Sequence, residues 1–160
     1  MLDKKKFIIQ KLDYENIPQF LSWRGTDRYL RQILEQEIAH HHKGTRVIFI
    51  AKLEEIIIGT VQFVSAHRDR ELADGKVTAY LQGLEVDSQY RRQKIGTCLI
   101  KLVEQEALLR GFERLSIMVE PNNSSALNLY LKLGFKEFKR SVDCWKGKEY
   151  PVTCLMRNVR

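Results

Sequence analysis

The chain has 160 residues, 44% of them hydrophobic, which suits a soluble protein with one core, and we predict a single domain over residues 1–160. No apolar run approaches the length of a membrane-spanning helix, and Met1–Gln10 lacks the long apolar segment of a signal peptide, so we expect a cytoplasmic protein without a membrane partner. The formal net charge of +7 at pH 7 favours anionic partners, among them nucleic acid and polyanionic cofactors.

The first part of the chain predicts one strand and two helices. Phe7–Leu12 is a short apolar segment of the strand type. Asp13 is suited to cap a helix over Tyr14–Trp23. Apolar residues at helical spacing within Arg28–His42 predict the second helix, which Gly44 ends.

Three adjacent histidines, His40–His42, close this helix and raise the question of a metal site. Adjacent residues on a helix point in different directions, and no Glu or Cys follows at a ligand spacing. We therefore interpret the triplet as a polar helix end and predict no metal.

Three β-branched segments follow the second helix. Arg46–Leu53 and Ile56–His67 are joined at Glu54–Glu55, which indicates a hairpin. The charged segment Arg68–Lys76 contains a glycine and is expected to be an exposed loop. Val77–Val86 is predicted to be the next long strand.

The stretch 84–102, LEVDSQYRRQKIGTCLIKL, predicts a strand end, a cationic turn over Tyr90–Gly96 and then a helix. The turn brings Arg91, Arg92 and Lys94 to the start of that helix. Free N–H groups and the helix dipole favour an anion there, most naturally a phosphate. A basic surface loop between two core elements is the alternative that the spacing alone leaves open.

The rest of the chain alternates helices and strands. The helix over Ile95–Arg110 ends at a glycine, and Leu115–Val119 is a short apolar strand of the kind found inside a sheet. Asn123, Ala126 and Tyr130 recur at i, i+3 and i+7, which places them on one face of the next helix. The last two strands are expected at Phe135–Cys144 and Tyr150–Arg157. This element order indicates an α+β or three-layer α/β domain.

Two of these segments resemble motifs of the GCN5-related N-acetyltransferases, the GNAT family. YRRQKIG followed by a helix is similar to the family's pyrophosphate loop, Gln/Arg-x-x-Gly-x-Gly/Ala, although Lys94 stands where the first glycine is expected. NxxAxxxYxxxGF, which begins at Asn123, is similar to the helix and strand that flank the thioester in the family. The resemblance covers roughly Val47–Arg157. It implies a mixed, mostly antiparallel twisted sheet of about six to seven strands, splayed between the fourth and fifth and flanked by about four helices.

The resemblance also implies an activity. The expected enzyme moves an acetyl group from acetyl-CoA to a primary amine of a small molecule or peptide, by direct attack in a ternary complex. Tyr130 is the expected acid that protonates the departing thiolate. The cofactor-binding residues that the resemblance implies are Leu84, Glu85, Val86, Arg91, Arg92, Gln93, Lys94, Ile95, Gly96, Thr97, Asn123, Ala126 and Tyr130.

The sequence does not identify the general base. Tyr80 and Gln82 take inward positions of the strand where some members of the family carry Glu or His, and neither is a good base near neutral pH. Glu85 is the carboxylate at the end of this strand, but strict alternation points it away from Gln82 and Val86 unless a bulge re-aims it. We expect a water chain, with Glu85 as the weaker candidate.

Two alternative functions stay open. Lys94 in place of glycine and the missing base fit a non-catalytic acyl-CoA-binding or regulatory domain of the same fold. The net charge of +7 fits a nucleic-acid-binding domain, but the basic residues are not interleaved with exposed aromatic residues and no recognition motif is present. Nucleic acid is therefore the less favoured partner. The acceptor amine is not identified, and a homodimer is left open.

Overall fold

Residues 6–160, the part of the chain that the computed structural model describes, form seven β-strands and four α-helices. The strands are β1 (Ile8–Lys11), β2 (Arg46–Leu53), β3 (Ile56–Val64), β4 (Thr78–Val86), β5 (Arg114–Val119), β6 (Lys136–Trp145) and β7 (Lys148–Asn158). The helices are α1 (Ile17–Arg24), α2 (Arg28–Lys43), α3 (Ile95–Leu109) and α4 (Ser124–Lys132). Each element lies where the sequence predicts one, with ends that differ by a few residues.

All seven strands join one sheet in the order β1-β2-β3-β4-β5-β7-β6. Neighbouring strands are antiparallel except β4 and β5, which are parallel and are connected through α3. A parallel pair needs such a long crossover, which a helix supplies. The mixed, mostly antiparallel sheet with four helices confirms the predicted fold.

The two faces of the sheet carry separate hydrophobic cores. Val47 and Phe49 of β2 pack in the core that contains α3, whereas the alternate residues Ile48 and Ile50 pack with α1 and α2. This alternation follows from the two-residue period of a strand. Ala126, Leu127, Leu129 and Tyr130 of α4 join the α3 core. The protein therefore has three layers, with the sheet between the α1–α2 pair and the α3–α4 pair.

β4 and β5 pair at one end only. Parallel pairing joins Thr78–Tyr80 to Arg114–Ser116, and within the described chain the two strands pair nowhere beyond Tyr80. β4 continues to Val86 and β5 continues to Val119, so an opening separates their carboxyl ends. Unpaired strand edges offer N–H and C=O groups to an extended ligand. This opening is the predicted splay between the fourth and fifth strands.

The C-terminal hairpin is tighter than the sequence predicts. Its turn consists of Lys146 and Gly147, which have positive φ values of 50° and 77°. Two central residues with positive φ are typical of a type I′ hairpin turn, whose twist matches that of the flanking strands. β7 therefore begins at Lys148, two positions before the predicted Tyr150.

Candidate active site

The turn between β4 and α3 has an unusual backbone. Asp87 accepts a hydrogen bond from the Gln89 N–H (3.0 Å) and begins a short 3-10 helix. Arg92 and Lys94 then both have positive φ, 64° and 65°. Lys94 lies directly before α3 with ψ of 14°, in the left-handed region that glycine adopts without strain. The lysine therefore takes the conformation for which the glycine of the motif is suited.

The N-terminus of α3 is left without a side-chain cap. Its first N–H groups lack intrahelical partners, and the helix dipole makes this end positive. Gly59 of β3 brings this end close to the sheet, because a β-carbon there would lie 3.3 Å from the Leu99 side chain and 3.4 Å from that of Ile95. The helix start is thus packed against the sheet and open towards the cationic turn, which is the arrangement of a phosphate site.

A cleft of about 920 Å³ lies between the end of β4, this turn and α4. The predicted cofactor-binding residues that line it are Leu84, Glu85, Val86, Arg91, Arg92, Lys94, Ile95, Gly96, Thr97, Asn123 and Ala126. Asn123 also caps α4, since its side-chain oxygen accepts a hydrogen bond from the Ala126 N–H (3.2 Å). Gln93 and Tyr130 are the two predicted residues that do not line the cleft.

Sequence reasoning missed part of the cleft wall. The additional lining residues are Tyr90 from the 3-10 helix and Ser125, Asn128, Leu129 and Lys132 from α4. Ser125, Leu129 and Lys132 recur at i, i+4 and i+7, so the same helical spacing rule could have identified this stripe. The predicted residues Asn123, Ala126 and Tyr130 form the adjacent stripe of the helix.

Positive charge dominates the cleft. Its lining contains Arg91, Arg92, Lys94 and Lys132 against one carboxylate, Glu85. Arg91 is partly engaged, because its Nε donates to the Val86 carbonyl (3.2 Å) and its Nη2 lies 3.7 Å from Glu85 Oε1. Both charged side chains are well exposed, so this ion pair contributes little and a ligand can displace it. The cleft fits a ligand with several negative charges.

Tyr130 lies behind the α4 wall of the cleft. Its side chain is buried, with 5% of the residue exposed, and its ring packs edge-to-face on Phe135 at a centroid distance of 5.9 Å. Burial raises the pKa of Tyr130 to about 12. Its hydroxyl has no hydrogen-bond partner among residues 6–160. Tyr130 is therefore a neutral phenol with an unused O–H group, and it interacts electrostatically with Tyr80 of β4.

The strand register corrects the orientation expected for Glu85. Thr60 pairs with Glu85 and Gln62 pairs with Gln82, so two residue steps in β3 match three in β4. The extra residue is a bulge, and Gly83 within it has a positive φ of 66°. Residues opposite each other share a face, so Glu85 lies on the same face as Gln82, opposite α3, and not away from it as strict alternation predicts.

Gln82 belongs to a buried polar network on that face. Arg46 Nη1 donates to the side-chain oxygens of Gln62 (2.6 Å) and Gln82 (3.0 Å). Gln62 Nε2 in turn donates to Glu37 Oε2 of α2 (2.8 Å). This network connects β2, β3 and β4 to α2 and occupies the Gln82 side-chain oxygen. Gln82 therefore has a structural role and is not available to accept a proton from the acceptor.

The histidine triplet has a structural role at its centre. His41 Nδ1 accepts a hydrogen bond from the Ile48 N–H (3.0 Å), and His41 Nε2 donates to the Leu12 carbonyl (2.7 Å). Burial lowers the pKa of His41, which favours this neutral ring. Residues 6–160 contain no group of three or more His, Cys, Asp or Glu side chains placed to hold a metal ion. In the same range, no helix combines the length and the apolar character needed to cross a bilayer.

Comparison with known proteins gives a consistent result. The model of the acetyltransferase (GNAT) family matches residues 10–135. N-alpha-acetyltransferase 30 of Xenopus laevis is 31% identical over 99 residues, which are 62% of this chain and 35% of that protein. The chain spans less than half of the length of the N-alpha-acetyltransferase 30 relatives that it matches, 35% for the Xenopus protein, 26% for the human one and 47% for the Dictyostelium one.

Solved structures share the fold over nearly the whole chain. Ribosomal-protein-alanine N-acetyltransferase from Brucella melitensis has a TM-score of 0.77 at 16% identity, and the match covers 94% of this chain and 99% of that one. A GNAT family acetyltransferase from Elizabethkingia anophelis, solved with acetyl-CoA bound, has a TM-score of 0.68 at 19% identity and coverages of 97% and 99%. At these identities the similarity concerns the fold.

Proposed function

The chain belongs to the acetyltransferase (GNAT) family, and we propose that it transfers an acetyl group from acetyl-CoA to a primary amine by direct attack in a ternary complex. One observation carries this proposal. A single cleft combines the uncapped start of α3, four cationic side chains and the unpaired end of β4. These are the features that a molecule with a pyrophosphate group at one end and an amide-containing arm at the other requires.

Acetyl-CoA fits the cleft in one direction. Its pyrophosphate is expected at Arg91–Thr97, where helix N–H groups and cations meet. Its pantetheine arm is extended and carries amides, so it can pair with the backbone of Leu84–Val86 like an added strand. The Val86 carbonyl becomes available to the arm when Arg91 turns towards the phosphates. The thioester then lies at the splay, close to Tyr130.

In the reaction the amine nitrogen attacks the thioester carbonyl, the C–S bond breaks and the amide forms. The thiolate takes up one proton and the attacking nitrogen loses one. Tyr130 is the proposed donor to the thiolate, because its phenol is neutral and its hydroxyl has no hydrogen-bond partner among residues 6–160. No cysteine is among the residues that line the cleft, which supports direct attack over an acyl-cysteine route.

The acceptor amine must be deprotonated at low cost before it can attack. Glu85 is on the acceptor face, but it is exposed and paired with Arg91, so a water chain is the proposed route for the proton. At pH 7, a lysine side chain of pKa ~10.4 costs ~4.6 kcal/mol to deprotonate, whereas an α-amino group of pKa ~8 costs only ~1.4 kcal/mol. We therefore favour an α-amine or another amine of low pKa.

Tyr130→Phe tests the chemical role. The substitution keeps the ring on Phe135 and removes the O–H. A general acid typically contributes 10²–10⁴-fold, and because a water can replace part of this contribution, kcat should fall at least about tenfold. Acetyl-CoA affinity should change little. The measurements are steady-state kinetics over a panel of primary amines and calorimetric binding of acetyl-CoA on the same preparation.

Three contrary outcomes are informative. Full activity of the Phe variant would assign the proton donor to water. Lost acetyl-CoA binding together with a lower melting temperature would assign Tyr130 to packing. Tight acetyl-CoA binding without transfer to any amine in the unmodified protein would support a non-catalytic acyl-CoA-binding domain instead.

A further inference from the structure

A second group of polar side chains lies on the face of the sheet opposite α3, beyond the cofactor cleft. Tyr80 of β4 and Tyr150 of β7 pack in one small cluster with buried Val152 and Cys154. Tyr80 faces away from α3, because its neighbours Ala79 and Leu81 belong to the α3 core. The cluster therefore lies on the face of the sheet opposite α3.

Tyr80 is the deepest member of this group. It is the last residue of β4 that pairs with β5, so it marks the point where the strands separate. The residue is only 5% exposed, and its hydroxyl has no hydrogen-bond partner among residues 6–160. The Tyr80 hydroxyl is not among the fully buried side-chain atoms without a partner in this range, so it reaches solvent and its O–H group is free to donate to a ligand.

Asp143 supplies the charge of the group. Tyr150 Oη donates to Asp143 Oδ2 (2.9 Å) across the β6–β7 hairpin, and the Cys144 N–H donates to Asp143 Oδ1 (2.9 Å). A carboxylate accepts about four hydrogen bonds, so Asp143 retains capacity for a ligand. Burial, with the Asp143 contact, raises the pKa of Tyr150 to about 12, so the phenol stays neutral and the negative charge stays on Asp143.

The other neighbouring groups do not neutralise this carboxylate. His67 packs edge-to-face on Tyr80 at 5.0 Å, and its Nδ1 accepts a hydrogen bond from the Asp69 N–H (2.9 Å). Burial lowers the pKa of His67, which favours the neutral ring. Lys139, opposite Cys154 in the strand register, is held by Asp69 at 2.6 Å and by Glu71 at 3.3 Å. The cluster therefore presents an unneutralised carboxylate beside two neutral phenols and a neutral imidazole.

We infer that Tyr80, Asp143 and Tyr150 form an acceptor subsite that binds a second cationic group of the substrate, a few bonds from the reacting amine. This inference rests on the proposed function. The reacting nitrogen must be neutral, and a carboxylate in contact with it would favour its charged form. Asp143 thus suits a cation that does not react, while Tyr80 at the splay orients the reacting end. The substrate class is a diamine or another amine with a neighbouring ammonium or guanidinium group.

Three acceptors with the same four-carbon chain test this subsite: 1,4-diaminobutane, butylamine and 4-aminobutanoate. They share the reacting amine and differ in the charge of the distal group. We expect kcat/KM to be at least about tenfold higher for the diamine than for butylamine, beyond the twofold statistical advantage of having two amines. A charged hydrogen bond contributes about 1.5–3 kcal/mol, which corresponds to more than a tenfold change in kcat/KM. 4-Aminobutanoate should be the poorest acceptor. Initial rates of CoA release and product masses give the measurement.

Asp143→Asn assigns the preference to one carboxylate. The amide oxygen can still accept the Tyr150 O–H, so the hairpin keeps its shape while the charge is lost. The ratio of kcat/KM between diamine and butylamine should fall to within about threefold, less than the tenfold that separates them in the unmodified protein. Glu149→Gln is the matched control, because it removes the same charge from an exposed residue of the same hairpin, opposite Cys144. It should keep the full ratio, and melting temperatures check both folds.

The possible outcomes distinguish a failure of the subsite from a failure of the proposed function. Equal kcat/KM values for the three acceptors in the unmodified protein would overturn the subsite and leave acetyl transfer standing. An undiminished diamine preference in Asp143→Asn would overturn the assignment to Asp143. Acetyl-CoA binding without transfer to any of the three acceptors or to an α-amine would overturn the proposed function and the subsite with it.

Discussion

Lys94 is a non-glycine residue in the left-handed region, and its replacement by glycine separates backbone strain from charge. An L-residue in this conformation costs about 1–2 kcal/mol. Glycine removes this strain, but it also raises the conformational entropy of the unfolded chain, which lowers the stability of the fold by about 0.4–1 kcal/mol. Lys94→Gly should therefore stabilise the fold by roughly 0.5–1 kcal/mol, which corresponds to about 2–4 °C or less in melting temperature for a chain of this size.

Lys94→Ala is the matched control, because it removes the same charge and keeps the β-carbon. Its stability should stay within about 0.5 kcal/mol of the parent. Acetyl-CoA should bind Lys94→Gly within about tenfold of the parent, under ~1.4 kcal/mol, since the backbone of the turn and not this side chain approaches the phosphates. Denaturant unfolding and calorimetry give both quantities. A glycine variant less stable than the alanine variant would show that Lys94 is not strained, and one that no longer binds acetyl-CoA would show that the Lys94 side chain is needed at the phosphates.

Three further perturbations test separate parts of the structure. Arg91→Ala should raise KM for acetyl-CoA with a smaller change in kcat, because phosphate contacts are shared by the ground and transition states; collapsed kcat at unchanged KM would contradict this role. The pKa of folded His41 lies below that of the unfolded chain, so the unfolded state binds the proton first and stability falls as the pH drops from about 6.5 through the folded pKa. His41→Gln should reduce that acid-induced loss in unfolding experiments at pH 7 and pH 5, and an unchanged loss would exclude His41 as its source. Asp27 caps α2 and pairs with Lys146 at 3.4 Å, so Asp27→Ala should lower the free energy of unfolding and Asp27→Asn should lower it much less. An equal cost for Lys146→Ala would show that the exposed ion pair, and not the cap, supplies the stability.

The proposed phosphate-binding end of the site was predictable because it depends on local features. A strand, a short cationic turn and an amphipathic helix place N–H groups and Arg91 together whatever the rest of the fold does. The positive φ of Lys94 was indicated only by its place in a glycine motif. The missed stripe of α4 residues depended on how that helix is rotated against α3. Such a rotation is set by tertiary packing, which spacing within one helix does not specify.

The orientation of Glu85 could not be predicted for a different reason. A strand of alternating residues gives one face assignment, and a single inserted residue reverses it for everything that follows. Gly83 was the available signal, since a glycine inside a strand often marks a bulge. The same limit applies to the acceptor subsite. Tyr80, Asp143 and Tyr150 lie in three strands, and only the sheet order brings them to one face.

The raised pKa values of the two buried phenols constrain the path of the proton. Tyr130 approaches the splay from the α4 side and Tyr80 from the opposite face, and burial raises the pKa of both. A phenol in this condition donates a hydrogen bond but does not remove a proton from an amine near neutral pH. The amine must therefore lose its proton to water, before or during attack. A cation bound at Asp143 does not replace the base, because the carboxylate and the cation largely cancel in their effect on the pKa of the reacting amine. The acceptor subsite therefore contributes binding and orientation of the substrate, while the proton leaves through water.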